Sequence, residues 1–302
     1  MAAYDDLMAF ERETQSLAQV AGRLGWDQET MMPRDAAPQR GAEMAAMEAV
    51  MHGRRTDPRV ADWLAAAETS GAVEVAQLRH IRRAHERASK VPPKLASEIA
   101  RVTSEAQGKW AQAREANDFA AFAPVLKDVV SLKREEGAAL SAGGDVYDAM
   151  LDDYEPGATA AELGAMFDAL RPRLVALREA VLAAPAPAAM RGKFDEGAQM
   201  KLARQIAKAF GYDMAKGRVD KAVHPFSSGS GLDVRITTRT SETDPFNCIY
   251  SAIHEVGHAT YEQNVDARHL LTPIGRGVSM GVHESQSRSF ENQMGRSEAY
   301  CG

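Results

Sequence analysis

Apolar residues recur at helical spacing through the first two thirds of the chain. In residues 4–22 they fall at positions that share one helix face: Leu7, Phe10, Leu17, Val20 and Ala21. The same pattern predicts further helices over 39–52, 58–69, 73–89, 93–117, 119–141, 160–183 and 194–210. Prolines interrupt the pattern and predict loops at 26–38 and 183–189.

Capping residues indicate where some of these helices begin and end. Asp118 precedes the helix over 119–141 and is a typical N-cap residue. Thr159 precedes the helix over 160–183, with Glu162 three residues later as its capping-box partner. Gly211 follows the helix over 194–210 and is typical of a helix C-terminus.

The pattern changes after residue 220. His224–Gly231 is rich in serine and glycine, and Val234–Thr240 alternates with β-branched residues, which predicts a strand in an edge hairpin. Helical spacing returns over 246–264 and 278–295. We therefore predict a mainly α fold with one domain, 1–302, divided into a helical portion, 1–220, and a strand-and-helix portion, 221–302.

Composition narrows the class of protein. Hydrophobic residues make up 45% and charged residues 26% of the 302 positions, which is typical of a globular domain. The net charge of −6 and the lack of basic runs argue against a nucleic-acid partner. Two distant cysteines, Cys248 and Cys301, predict neither a disulfide scaffold nor a thiolate zinc cluster. Without a signal-peptide pattern or a membrane-spanning stretch, we expect a cytoplasmic protein with no membrane partner.

His254-Glu255-Val256-Gly257-His258 matches the pattern HExxH. Residues four apart lie on one helix face, so the two imidazoles can bind one metal ion. Glu255 is then the general base that takes a proton from a water activated by zinc. Gly257 costs about 1 kcal/mol relative to alanine inside a helix. We expect another element to pack closely against it.

A third protein ligand must come from elsewhere in the chain. A metzincin would have a glycine and a histidine where this sequence has Tyr261 and Asn264, so that class is excluded. Glu262 lies two turns from His254, too far along the helix to bind the same ion. The next predicted helix offers three candidates, among which spacing alone does not choose: His283, Glu284 and Glu291.

Other stretches match a known set of motifs. They are Trp26–Pro33 (WDQETMMP), Tyr154–Gly157 (YEPG), His224–Phe226 (HPF), Asp233–Thr237 (DVRIT) and His283–Gln286 (HESQ). The chain thereby resembles the M32 metallocarboxypeptidases, the thermostable carboxypeptidase Taq type. The order DxRxT, HExxH, HESQ is also the order in that family, which makes the resemblance specific.

The resemblance implies a set of site residues and a fold. It assigns His254, His258 and Glu284 as ligands of one zinc ion, in the gluzincin manner, and Glu255 as the general base and acid. Cobalt is expected to substitute for zinc. The implied fold has long helices around a deep groove, with a small sheet at its edge. The implied activity is release of C-terminal amino acids from peptides, by a homodimer.

Five further residues are candidates for a supporting role near the metal or in the substrate groove: Asp233, Arg235, Thr237, His224 and His283. A structural salt bridge between Asp233 and Arg235 is an equally good interpretation. The remaining histidines are expected at the surface or in the core: His52, His80, His85 and His269.

Later family motifs have no counterpart before Gly302, so we expect a fragment or a shortened family member. They include the residues expected to hold the carboxylate of the substrate and to polarise the scissile carbonyl. There are three alternatives to an active M32 carboxypeptidase. They are a zinc-binding but inactive protein, an M3-like metallo-endopeptidase, and a helical scaffold with an accidental HExxH.

Overall fold

The computed structural model of the protein describes residues 2–188 and 190–302. Most of them are helical, with bounds α1 Ala2–Thr30, α2 Ala37–Arg55, α3 Pro58–Ala66, α4 Ala72–Lys90, α5 Pro93–Glu115, α6 Phe119–Ser141, α7 Val146–Leu151, α8 Ala160–Ala183, α9 Glu196–Ala209, α10 Pro245–Gln263, α11 Met280–Arg288 and α12 Glu298–Cys301. The strands are β1 Val219–Lys221, β2 Ser227–Ser230 and β3 Asp233–Thr238. This confirms the mainly α fold class.

The predicted helix starts are confirmed where a capping residue marked them. The Asp118 carboxylate accepts a hydrogen bond from the Ala121 amide at 3.0 Å. Thr159 and Glu162 form the predicted capping box at the start of α8. The predicted loop at 183–189 begins after Ala183, and its last residue, Ala189, lies outside the described residues.

The predicted loop at 26–38 is wrong at both ends, because α1 continues to Thr30 and α2 begins at Ala37. Trp26 is 6% exposed, and Arg218 and Arg235 stack over its ring, so tertiary packing holds this part of the chain in the helix. The helix ends before Pro33, where proline prevents its continuation. The short elements α7, α12 and β1 were not predicted, since three to six residues carry little periodic signal.

The three strands form one sheet in the order β1-β3-β2. β2 and β3 make the predicted antiparallel hairpin, with Ser228 opposite Arg235. The prediction of an edge position for the 234–240 strand is wrong: β3 is central, because β1 pairs with its other side in parallel. Val234 and Ile236 of β3 are fully buried against Val256 of α10, so the sheet forms part of the support of that helix.

A second core lies between the N-terminal helices. Leu7 and Met8 of α1 pack with residues of α3 and α4: Val60, Leu64 and Ile81. Helices α2 and α5 lie against each other along their length. These helices form a separate packed layer beside the portion that carries β1–β3, α10 and α11.

Helix α8 differs from its neighbours, because no residue of it is buried within the described chain. Its exposed apolar side chains are Met166, Phe167, Leu170, Leu174, Val175, Leu177, Val181 and Leu182. Among residues 2–188 and 190–302, no helix combines the length and the apolar character that crossing a bilayer requires.

Candidate metal centre

Helix α10 supplies the two histidines of the candidate site. It begins with Pro245 in its first turn, and the Asp244 carboxylate caps it by accepting from the Asn247 amide at 3.3 Å. Residues of its inner face are fully buried: Cys248, Ala252, Ile253, Val256 and Ala259. His254 and His258 share the opposite face, with ring centroids 5.0 Å apart.

Helix α11 crosses α10 at Gly257. A methyl group at this position would lie 2.6 Å from Cα of Ser287 and 2.8 Å from the Gln286 carbonyl oxygen. No side chain fits there without backbone movement, since real contacts of this kind are longer. The expected close packing against Gly257 is therefore present, and it brings Glu284 to the two histidines.

The structure brings His254, His258 and Glu284 together. Oε2 of Glu284 lies 3.6 Å from Nε2 of His254 and 3.3 Å from Nε2 of His258. One donor atom from each residue lies within 4.8 Å of the others. Ligands about 2.0–2.1 Å from a tetrahedral zinc ion are about 3.3 Å apart, so this donor set fits such an ion.

Glu291 holds the first histidine in orientation. Its Oε2 accepts a hydrogen bond from Nδ1 of His254 at 2.9 Å, which leaves Nε2 directed at Glu284. Arg288 and Arg296 contact the Glu291 carboxylate at 3.2 Å and 2.9 Å. The charged partners lower the pKa of Glu291 against the opposing effect of its partial burial, so the carboxylate stays ionised. Glu291 was one of the three candidates for the third ligand, but it lies behind His254, on the side away from Glu284.

A chain of hydrogen bonds holds the second histidine. Nδ1 of His258 lies 2.8 Å from Nδ1 of His283, and Nε2 of His283 lies 2.8 Å from Oε1 of Glu262. The Gly277 amide donates to the same Glu262 oxygen. Because Nε2 of His283 donates to Glu262, Nδ1 of His283 is left as the acceptor for Nδ1 of His258. Burial, followed by the neighbouring histidines, lowers the pKa of His258 to about 4, which keeps it in the neutral form that binds metal.

Glu255 lies beside this cluster with one carboxylate oxygen unsatisfied. It is 5% exposed, and its Oε2 has no hydrogen-bond partner among the described residues. Burial, and then the charges of Glu284 and Glu291, raise the pKa of Glu255 to about 8. A buried carboxylate without a partner is costly, and a nearby cation would stabilise its charge. This unsatisfied oxygen is a second observation that fits a metal site.

A cavity of about 660 Å³ opens next to the two α10 residues His254 and Glu255. Glu291 and two cationic groups, Arg239 and Arg296, also line it. His224 also lines it, as do five polar or apolar residues: Pro225, Phe246, Asn247, Tyr250 and Ser251. The cavity therefore combines the candidate metal site with positive charge, and it has room for a small peptide end.

The structure does not place the DVRIT side chains in this cavity. Asp233 forms ion pairs with Arg235 at 2.8 Å and with Arg23 at 2.9 Å, which corresponds to the salt-bridge interpretation. The Arg235 guanidinium stacks over the ring of Trp26, 4.5 Å from its centroid. Thr237 is fully buried, and its hydroxyl accepts from the Phe226 amide. These residues join the sheet to α1 and to the segment that carries His224.

Two other histidines have structural contacts, as expected. Nε2 of His52 lies 2.8 Å from the Val91 carbonyl oxygen, and Nδ1 of His85 lies 2.7 Å from that of Arg55. Arg239 and Tyr250 were not predicted as cavity residues. Each stands close in sequence to a motif but outside it, and single arginines or tyrosines carry no periodic or spacing signal.

An HExxH helix opposed by a glutamate from a second helix is an arrangement typical of metal-dependent peptidases. The family model of carboxypeptidase Taq (M32) metallopeptidases matches residues 6–302. The chain belongs to this family, as the sequence motifs predicted.

Named relatives agree with this assignment. The chain is 41% identical to thermostable carboxypeptidase 1 of Thermus thermophilus, over 98% of this chain and 62% of the relative. It is 32% identical to thermostable carboxypeptidase 1 of Pyrococcus furiosus, over 97% of this chain and 61% of the relative. The crystal structure of an M32 carboxypeptidase from Deinococcus radiodurans R1 is similar, with a TM-score of 0.85 and 36% identity. The match covers 99% of this chain and 61% of the relative. The chain thus spans about 60% of the length of these relatives.

Proposed function

We propose that this chain binds zinc and removes C-terminal amino acids from peptides. The observation that carries the proposal is the cluster of His254, His258 and Glu284 beside the unsatisfied carboxylate oxygen of Glu255. The carboxypeptidase names of the relatives support release of single residues rather than internal cleavage.

His254, His258 and Glu284 would hold the metal through Nε2, Nε2 and Oε2. Two imidazoles and one carboxylate are the donor set of zinc peptidases, and cobalt accepts the same donors. When bound, zinc polarises the scissile carbonyl group and activates a water for attack. Glu291 and His283 keep both imidazole rings in the required orientation and tautomer.

Glu255 would move the proton. Its Oε2 has no hydrogen-bond partner among the described residues, and the charge of a bound metal ion would keep the carboxylate ionised, so this oxygen can accept a proton from the attacking water. The same oxygen then donates that proton to the amine of the leaving amino acid.

Arg239 and Arg296 would attract the anionic end of the substrate. Both line the cavity next to Glu255, and Nε of Arg239 donates to Oδ1 of Asn247, which orients the guanidinium group. A guanidinium binds a carboxylate with two parallel hydrogen bonds. This supports binding of peptide C-termini within the chain itself, although such donors were expected only in later motifs.

Family membership does not favour the alternatives of an inactive zinc-binding protein or an M3-like endopeptidase, and it leaves no support for a scaffold. The homodimer, the cytoplasmic location and the division into 1–220 and 221–302 remain predictions.

A blocked dipeptide and an internally quenched peptide blocked at both ends distinguish a carboxypeptidase from an endopeptidase. Only a carboxypeptidase releases a free amino acid from the first and spares the second.

The test combines zinc content with hydrolysis of N-blocked dipeptides on one sample. We expect one zinc ion per chain and release of the C-terminal residue. Glu255→Gln should keep the zinc but lower kcat by about 10²–10⁴, because the general base is lost while the ligands stay. Full activity of Glu255→Gln would refute the mechanism, and the absence of zinc even after metal addition would refute the site.

A further inference from the structure

The start of α11 is held by a segment more than 120 residues earlier in the chain. The Met280 amide donates to the Tyr154 carbonyl oxygen at 2.9 Å, and the Gly281 amide donates to Oε2 of Glu155 at 2.9 Å. The Val282 amide donates to the hydroxyl of Ser279, the N-cap residue. The first amides of a helix have no partner within it, and here two of three are satisfied by the YEPG segment.

The fit between this segment and α11 is close. A methyl group at Gly281 would lie 2.6 Å from Oε2 of Glu155, so glycine leaves the space for the carboxylate. The negative charge also lies at the positive end of the helix dipole, where it stabilises the helix. Glu155 therefore combines a charge-assisted hydrogen bond with a favourable electrostatic position.

This contact bears on the metal site because α11 is short. The α-helical part has nine residues, Met280–Arg288, and it continues directly as a π-helix over Ser289–Met294, which carries Glu291. Isolated helical segments of this length are marginal in water, so its position depends on tertiary contacts. Glu284 lies three residues after Gly281, less than one turn away. A shift of the first turn would therefore move Glu284 relative to the histidines of α10.

The segment that carries Glu155 is itself held from two sides. Asp152 accepts from the Gly157 amide through one oxygen and forms ion pairs with Arg83 and Arg87 of α4 through the other. Arg87 also pairs with Asp153 at 2.6 Å. The segment thus has its own rigid attachment to the N-terminal helices, and it can fix the position of α11 rather than follow it.

We propose that Glu155 is a positioning residue, which fixes the first turn of α11 so that Glu284 meets His254 and His258. The inference rests on the proposed metal site and gives a role to the YEPG motif, which the catalytic proposal does not use. The N-terminal helices and the metal centre are then connected through α4, Asp152, Glu155 and α11.

The first test measures zinc affinity of the metal-free protein by competition with a chromophoric chelator. We expect Glu155→Ala to weaken zinc binding by about 10- to 100-fold, the effect of losing a residue that orients a ligand. Glu155→Gln keeps an oxygen acceptor for the Gly281 amide and should restore most of the affinity. Glu162→Ala is the matched control, because Glu162 also caps a helix N-terminus but supports no ligand.

The second test measures amide hydrogen exchange of residues 280–288 in the same metal-free proteins. Glu155→Ala should accelerate exchange at the start of α11 about tenfold, while Glu162→Ala leaves it unchanged. Equal zinc affinity in wild type and Glu155→Ala would overturn the inference, as would an equal loss in Glu162→Ala. If the wild-type chain binds no zinc, the proposed function fails. Exchange in α11 then still decides the role of Glu155.

Discussion

Helices α10 and α8 are both long and partly apolar, yet they have opposite environments. α10 has 19 residues, and ten of them are buried, among them Glu255 and Glu262. α8 has 24 residues, none of them buried, and it exposes eight large apolar side chains. Apolar content therefore does not by itself determine burial.

The difference follows from the neighbours of each helix. α10 packs against α9, β3 and α11 on different sides, whereas α8 contacts α7 near its start. The candidate metal ligands His254 and His258 therefore lie on a helix that is packed on several sides. A packed helix fixes the rotamers and spacing of its residues, and a metal site requires that precision.

The sharpest test of this comparison is the loss of one apolar side chain from each helix. Ile253→Ala in α10 should lower the free energy of unfolding by about 2–5 kcal/mol, because the side chain is fully buried. Leu177→Ala in α8 should change it by less than about 0.5 kcal/mol, since Leu177 is 61% exposed. Urea denaturation of both variants measures the difference. Similar losses would mean that α8 is covered in solution.

Glycine-to-alanine substitutions test the same contrast at the backbone. Gly257→Ala should destabilise the protein by about 1–3 kcal/mol and weaken zinc binding, because the new methyl group meets the backbone of α11. Gly164→Ala in α8 should stabilise it by about 0.5–1 kcal/mol, since no atom lies within 4 Å and alanine favours the helix. Thermal unfolding without zinc measures the change in stability of each variant. The additional stabilisation on adding zinc measures the effect on zinc binding. A stable, zinc-binding Gly257→Ala variant would contradict the close crossing.

Thiol reactivity gives a third, smaller contrast. Cys248 of α10 is buried, and burial raises the pKa of its thiol, so it should stay unlabelled in the native protein. Cys301 is exposed and should react. In a Cys301→Ser background, which removes the reaction of Cys301, a second substitution Ala176→Cys places a thiol on the exposed helix α8. This new thiol should react readily while Cys248 does not. A chromogenic disulfide reagent counts the thiols, and labelling of Cys248 before unfolding would show that α10 opens.

Much of the chemistry was already determined by the amino-acid sequence. The HExxH spacing placed His254 and His258 on one helix face, because that relation depends only on the local geometry of a helix. The caps at Asp118 and Thr159 were equally local and were confirmed. Glycine at position 257 correctly indicated a close approach by another element.

Only the tertiary structure decided what depends on contacts between elements. Spacing left three residues open as the third ligand, and the family resemblance selected Glu284. The crossing of α10 and α11 places Glu284 at Nε2 of both histidines, Glu291 at Nδ1 of His254 and His283 at Nδ1 of His258. The helical continuation through Trp26 and the central position of β3 were likewise decided by packing. These contacts depend on the rotation and the shift of one element relative to another. Local sequence patterns do not specify either quantity.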